Sequence, residues 1–315
     1  MVSFLKRVLI ETYDIFLTFR HWLKLHIFKS PMDVLASIDY SLYKFRAQIF
    51  FLFLNKEKIS LNNKYAHDYN KLGYAAFSNR EIQKNCKKII ERIKEEDTLF
   101  DEKNRLINPG SVEFRDEFIE IFKHGVDAFI KASFKSDYKI FSHVLFKSKR
   151  YSKAEIAEGS ALWHADGGPG ICMNLMFCHS PVNNTNGALK VIPWQYSKNI
   201  LSRTFYSYKK WTRKVSNLYL SQLNRMEKRE VRCNSLKQII DAEKIKYFQP
   251  DFEKSGLIYA FKNNCVHAGG FPEMNQERVV SVMHIYPSVK KTSILEKFSK
   301  DHLKRSPYPL KMQLD

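Results

Sequence analysis

The apolar positions of this chain change their spacing along its length. From residue 1 to about 60, Leu5, Val8, Leu9, Phe16, Phe19, Leu23 and Ile27 recur at helical intervals, with Arg20, Lys24 and Lys29 between them. An apolar stripe beside a basic face predicts an amphipathic helix. Ser30-Pro31 breaks it, and a second helical stretch is expected from about Pro31 to Leu54. Near Tyr65 the pattern becomes a short strand followed by a helix. Ser78 and Glu81 have the spacing of a capping box, and Ile82, Cys86, Ile89, Ile90 and Ile93 mark one helix face.

From about Tyr138 the period shortens to two. YKIFSHVLF alternates, ICMNLMFCHS is a nearly continuous apolar run, and ALKVIPW is the next strand. Asn186-Gly187 lies just before ALKVIPW and predicts a hairpin turn. Residues 200 to 250 return to helical spacing and are strongly basic, with Lys209, Lys210, Arg213, Lys214, Arg225, Lys228 and Arg229. Set between two strand regions, this segment is expected to be an insertion over one end of a sheet, a common place for a lid. Strands resume with LIYAF, CVHAGG and RVVSVMHIYPS, and a last helix is expected near Ile294 to Leu303.

Many strands with tight turns and no βαβ alternation imply an antiparallel sandwich or barrel. The expected fold is therefore mainly β with helical buttresses. Three regions are expected: a basic amphipathic helical extension over 1–62, a β domain over 63–290 with its helical insertion at 200–250, and a basic tail over 291–315.

Composition narrows the partners. The chain has 315 residues, with 52 Lys+Arg against 33 Asp+Glu and a net charge of +19. A field of that sign attracts polyanions such as nucleic acid, anionic lipid or anionic glycan. No nucleic-acid recognition motif accompanies it. Aromatic residues make up 14%, which excludes a disordered chain. The five cysteines form no CxxC pair and are odd in number, so free thiols in a reducing compartment are expected. The longest plain apolar run, Ile49 to Leu54, is too short to cross a bilayer. Glu11 and Asp14 interrupt the N-terminal apolar stretch, which argues against a signal peptide. A cytoplasmic protein is expected. Its N-terminal helices either pack on the following domain or lie on the inner face of a membrane.

The candidate chemistry begins at WHADGG, residues 163 to 168. On a strand, His164 and Asp166 point the same way, so imidazole and carboxylate can grip one ion. The same residues also suit an ordinary strand end. CVHAGG places His267 at the end of a later β-rich run. Two histidines and one carboxylate on adjacent strands make a facial triad, the arrangement of non-haem Fe(II) oxygenases, with open positions for a 2-oxo acid and O₂. Arg278 opens the strand RVVSVMH eleven residues after His267. Its planar fork suits the distal carboxylate of a 2-oxo acid, and Val280 and Val282 share its face.

Taken in order, these stretches resemble the phytanoyl-CoA dioxygenase family of Fe(II)/2-oxoglutarate oxygenases. YNKLGYAAFSNREI resembles the family's opening strand and helix, HADGG its HxD stretch, NNTNGALKVIP its NGAL-type turn, and CVHAGG with ERVVSVMHIYPS its distal histidine and arginine strand. The resemblance runs from about Tyr65 to Pro287. It implies a double-stranded β-helix, a jelly roll, that hydroxylates a C–H bond as 2-oxoglutarate is decarboxylated. It implies His164, Asp166 and His267 as iron ligands and Arg278 as the 2-oxoglutarate partner. Asn174, in phase with His164 and Asp166, is a further pocket candidate. The carboxylate at Asp166 favours hydroxylation over the halogenation of relatives that lack it.

One departure concerns substrate. Pro193-Trp194-Gln195-Tyr196 stands where the family often has Pro-Gly-Ser-His. Lys190 and Trp194 are therefore candidate substrate contacts of this chain's own. The basic charge and N-terminal helices resemble the Kdo hydroxylases, which modify a sugar of lipopolysaccharide at a membrane. An anionic lipid-linked or sugar-containing substrate is the leading expectation. A soluble acyl-CoA or other small anion, and a non-catalytic polyanion-binding module, are the alternatives.

Overall fold

Five strands, β1 (Tyr74–Phe77), β2 (Asp137–Lys149), β3 (Met173–Cys178), β5 (Leu257–Lys262) and β7 (Glu277–Ser288), form one antiparallel sheet in the order β1-β5-β3-β7-β2. Two short strands, β4 (Lys190–Val191) and β6 (His267–Ala268), form a second. This computed structural model describes residues 63–95, 113–149, 159–166, 172–204, 225–288 and 291–299. The expected N-terminal helices, residues 205–224 of the insertion, and residues 300–315 lie outside the described residues.

The period-two pattern explains the layering. Met173, Leu175 and Phe177 of β3 join one buried cluster with Ile258, Ala260, Val279, Met283 and Ile285. The alternate residues Met176, Cys178, Leu257, Tyr259, Phe261 and Val280 join another. A two-faced sheet thus buries both faces, which is why β3 and β5 read as continuous apolar runs. The first face is covered by helices α1 (Lys64–Leu72), α2 (Arg80–Glu95), α3 (Arg115–Ile121) and α4 (Asp127–Phe134), which supply Ile82, Ile89, Phe118 and Phe129. The second face closes against the small sheet through Leu189, Val191 and Phe248. The result is mixed helix and antiparallel sheet, with helices as buttresses on one side.

Two local expectations change. The cap of α2 is Asn79, whose Oδ1 accepts from the Ile82 N–H at 2.9 Å. Ser78 instead donates its hydroxyl to the Gly256 carbonyl at 2.7 Å, tying the helix start to the turn before β5. The expected stripe of Ile82, Cys86, Ile89 and Ile93 is buried along α2. The second change is at Asn186-Gly187, which does not close a hairpin. β3 pairs with β5 and β7, while β4 pairs with β6, so the chain crosses between sheets there. Side chains fix this crossing: Asn186 accepts from the Asn183 N–H and donates to the Pro181 carbonyl.

The insertion starts with α5 (Trp194–Arg203) and ends with α6 (Arg225–Ala242). Leu236 and Ile240 of α6 pack with Ile200 of α5 and with Ile192 and Val266, beside Trp163. After β7, helix α7 (Ile294–Lys297) is capped by Ser293 and Glu296 in a capping box. Phe298 then enters the helix-side core, so this part of the basic tail is built into the domain.

Candidate metal centre

His164 and His267 face each other across a closed pair of backbone hydrogen bonds, each N–H donating to the other's carbonyl at 2.8 Å. That pairing sets their rings 4.2 Å apart, centre to centre. The backbone also fixes each ring's orientation. His164 Nδ1 lies 2.7 Å from the Leu162 carbonyl and His267 Nδ1 2.8 Å from the Cys265 carbonyl. A carbonyl only accepts, so each Nδ1 carries a proton, which leaves Nε2 as the ring's ligand atom.

Both lone pairs converge on Asp166. His164 Nε2 is 3.7 Å from Oδ1 and His267 Nε2 is 3.7 Å from Oδ2. These separations are too long for hydrogen bonds. The candidate ligand atoms all lie within 4.8 Å of one another, as donors around one ion do. Two further bonds hold the carboxylate: the Asp166 N–H donates to the Asn263 carbonyl at 3.0 Å, and Asn174 Nδ2 donates to Oδ2 at 2.6 Å. Gly167 and Gly168 lie outside the described residues.

Protonation follows from these surroundings. Burial, with the charges of His267 and Arg229, pushes His164 down to about 4, against the opposing pull of Asp166. Burial acts to raise Asp166, but His267, His164 and the Asn174 bond together hold it below the usual carboxylate range. A neutral His164 beside an ionised Asp166 is the state in which ligands accept a metal without first losing protons. Two imidazole nitrogens and one carboxylate suit a first-row divalent metal with open positions.

Arg278 is 4% exposed. Its Nη1 donates to the Gly187 carbonyl, and its Nη2 to the Gly270 carbonyl at 3.2 Å. The two glycines touch so closely that a Cβ on Gly270 would sit 2.5 Å from backbone atoms of Gly187 and Ala188. Arg278 Nε has no partner, and no carboxylate pairs with the guanidinium among the described residues. Burial lowers its pKa to about 10, so it keeps its charge at neutral pH. A buried cation with a free donor fits an anionic ligand. Val280 and Val282 line the same interior.

The other sequence candidates separate. Asn174 joins the cluster through Asp166. Lys190 lies on the face of β4 opposite the inward Val191, with its ammonium 5.2 Å over the Tyr247 ring. Trp194 begins α5, packs beside Gly73, and carries Lys198 over its ring at 5.0 Å. His179 faces the helical layer, where its Nε2 meets Ser281 Oγ at 2.7 Å. His284 was not among the site residues expected from sequence. It is the cross-strand partner of Asn174, and counting by twos from Arg278 along β7 reaches it.

No family model and no curated protein matches the chain. Among solved structures, AviO1 from Streptomyces viridochromogenes Tue57 aligns at 12% identity, over 73% of this chain and 96% of its own, with a TM-score of 0.47. SnoN, a non-heme alpha ketoglutarate dependent epimerase from nogalamycin biosynthesis, aligns at 9% identity over 71% and 82%, with a TM-score of 0.47. EctD from S. alaskensis, solved with 2-oxoglutarate and 5-hydroxyectoine, aligns at 13% identity over 75% and 80%, with a TM-score of 0.45.

Proposed function

We propose that this chain is an Fe(II)- and 2-oxoglutarate-dependent dioxygenase on a double-stranded β-helix, hydroxylating a C–H bond of an anionic substrate. The observation that carries this reading is the convergence of the two Nε2 lone pairs on Asp166. His164, Asp166 and His267 would hold the iron, and Arg278 the distal carboxylate of 2-oxoglutarate. When bound, iron with 2-oxoglutarate and O₂ supplies the oxidising power for C–H cleavage.

The chain's own residues do the rest. The Leu162 and Cys265 carbonyls keep the proton on each Nδ1 and so keep each Nε2 free. Asn174 occupies one lone pair of Asp166 Oδ2 and fixes the carboxylate plane. Tyr259, Phe261 and Val280 are almost fully buried and exclude water around the interior.

The substrate part of the reading is supported by charge. A net +19 favours an anionic group, and a lipid-linked sugar such as Kdo of lipopolysaccharide, met at a membrane surface, fits that sign. No helix among the described residues is long and apolar enough to cross a membrane.

Release of CO₂ from carboxyl-labelled 2-oxoglutarate tests the activity. Slow Fe(II)-dependent release without added substrate is expected from the wild type, and none from Asp166→Ala. Folded, iron-loaded protein that releases no CO₂ overturns the reading.

A further inference from the structure

Directly paired residues of an antiparallel sheet point to the same side, with Cβ atoms about 5 Å apart. One such row crosses the main sheet: Tyr74 on β1, Phe261 on β5, Asn174 on β3 and His284 on β7. The row lies beside the ligand cluster. The Phe261 ring is 4.8 Å from the His267 ring, and Asn174 donates to Asp166 at 2.6 Å. His267 thus stands over β5 and Asp166 over β3. The next strand in the sheet is β7, which places His284 on the side of Asp166 away from His267.

The face of β7 that carries His284 is otherwise apolar near the cluster. Counting back by twos gives Val282 and Val280, both packed into the interior between the sheets, before Arg278 is reached. On the opposite face Met283 and Ile285 are buried, whereas His284 and Val282 are partly exposed. An imidazole that lies beside the ligand cluster and still meets solvent belongs to a cavity wall, not to the packed core. Burial lowers the His284 pKa and the Asp166 charge opposes it, in keeping with a ring turned towards the carboxylate.

We propose that His284 contacts the group that enters the exchangeable side of the metal centre and donates a hydrogen bond to it. Two histidines and one carboxylate leave the positions facing away from them open. Either nitrogen of an imidazole can carry the proton that a small anion or a substrate oxygen accepts. The inference rests on the dioxygenase reading for its metal and adds the residue that touches the entering group.

The test uses full-length protein loaded with Co(II), with azide as the probe and the cobalt absorption bands as the readout. Azide is expected to shift the bands saturably in wild type. His284→Leu should bind azide at least about tenfold more weakly, the loss of one hydrogen bond to a charged group. His284→Gln keeps a donor and should stay close to wild type. Both variants should keep the wild-type Co(II) affinity and melting temperature, which a merely structural histidine would move. Equal azide affinity in His284→Leu overturns the inference alone, as do wild-type cobalt bands that ignore azide. Protein that binds no Co(II) overturns the metal centre and the inference with it. A second reading needs no variant: in wild-type protein with ring-labelled histidine, one imidazole besides the two ligands should show a cobalt-shifted resonance that moves with azide. Shifted resonances from the two ligands alone overturn the inference.

Discussion

Asn174 donates to Asp166 at 2.6 Å, and this one amide ties β3 to the carboxylate between the two histidines. A partner that orients a ligand typically contributes 10–100-fold to metal affinity. Asn174→Leu is therefore expected to weaken Mn(II) binding by about that factor while leaving the melting temperature near wild type. Titration calorimetry reads the affinity and a thermal melt reads the stability. Unchanged affinity would mean that the backbone alone holds Asp166.

Arg278 joins two functions, since its fork binds the Gly187 and Gly270 carbonyls and leaves Nε free. Arg278→Lys keeps the charge and loses the fork. We expect 2-oxoglutarate to bind at least about tenfold more weakly to the Mn(II)-loaded variant, given about 1.4 kcal/mol for one charge-assisted hydrogen bond. Mn(II) affinity itself should hold. Equal 2-oxoglutarate affinity would remove Arg278 from the co-substrate site.

A second pair of histidines sits on the helical side of the sheet. His143 and His179 are both buried, and neither nitrogen of the His143 ring has a partner. Burial holds His143 well below its ordinary value and His179 down to about 3. The unfolded chain takes up protons near pH 6.5 and the folded chain does not. Stability is therefore full above about pH 6.5 and is lost as pH falls towards about 3, by up to about 1.4 kcal/mol per pH unit for each ring. His143→Phe, placed against Phe118, should match or exceed wild-type stability at pH 7 and flatten the acid side. Urea unfolding at pH 7.5 and 5.0 measures the difference, and equal slopes would contradict it.

Lys297 is fully buried in its side chain and meets Asp137 Oδ1 at 2.7 Å. Its ammonium also donates to the Thr292 carbonyl at 2.6 Å and lies over the Tyr138 ring. Removing one partner leaves an uncompensated buried charge, which typically costs about 3–5 kcal/mol. Lys297→Met should lower unfolding free energy by that order, and Asp137→Asn/Lys297→Met should recover part of it. No loss in the single variant would show that the tail segment does not hold the domain.

Much of the centre was legible because chemistry and period coincide there. His164 meets His267 of β6 through an isolated antiparallel bridge, and Asp166 follows two residues later, as the HxD spacing requires. Asn174 followed from phase alone. His284 was passed over because a single strand histidine carries no signal of its own, although it pairs with Asn174 in the sheet. Asn186-Gly187 has the composition of a hairpin, but side-chain bonds from Asn183 and Asn186 turn the chain into the other sheet. Lys190 alternates with the buried Val191 on β4, and its ammonium lies over the Tyr247 ring. The cap of α2 moved one residue because Ser78 found a partner in a turn far along the chain, which local spacing does not encode.

The most direct measurement is an anaerobic titration of the purified protein with Fe(II) and then 2-oxoglutarate, followed in the visible, beside His267→Ala. The account predicts the weak visible band of a 2-oxo acid chelated to Fe(II) in wild type, saturating with 2-oxoglutarate, and no such band in the variant. Folded wild-type protein that binds Fe(II) and shows no band on adding 2-oxoglutarate would contradict it.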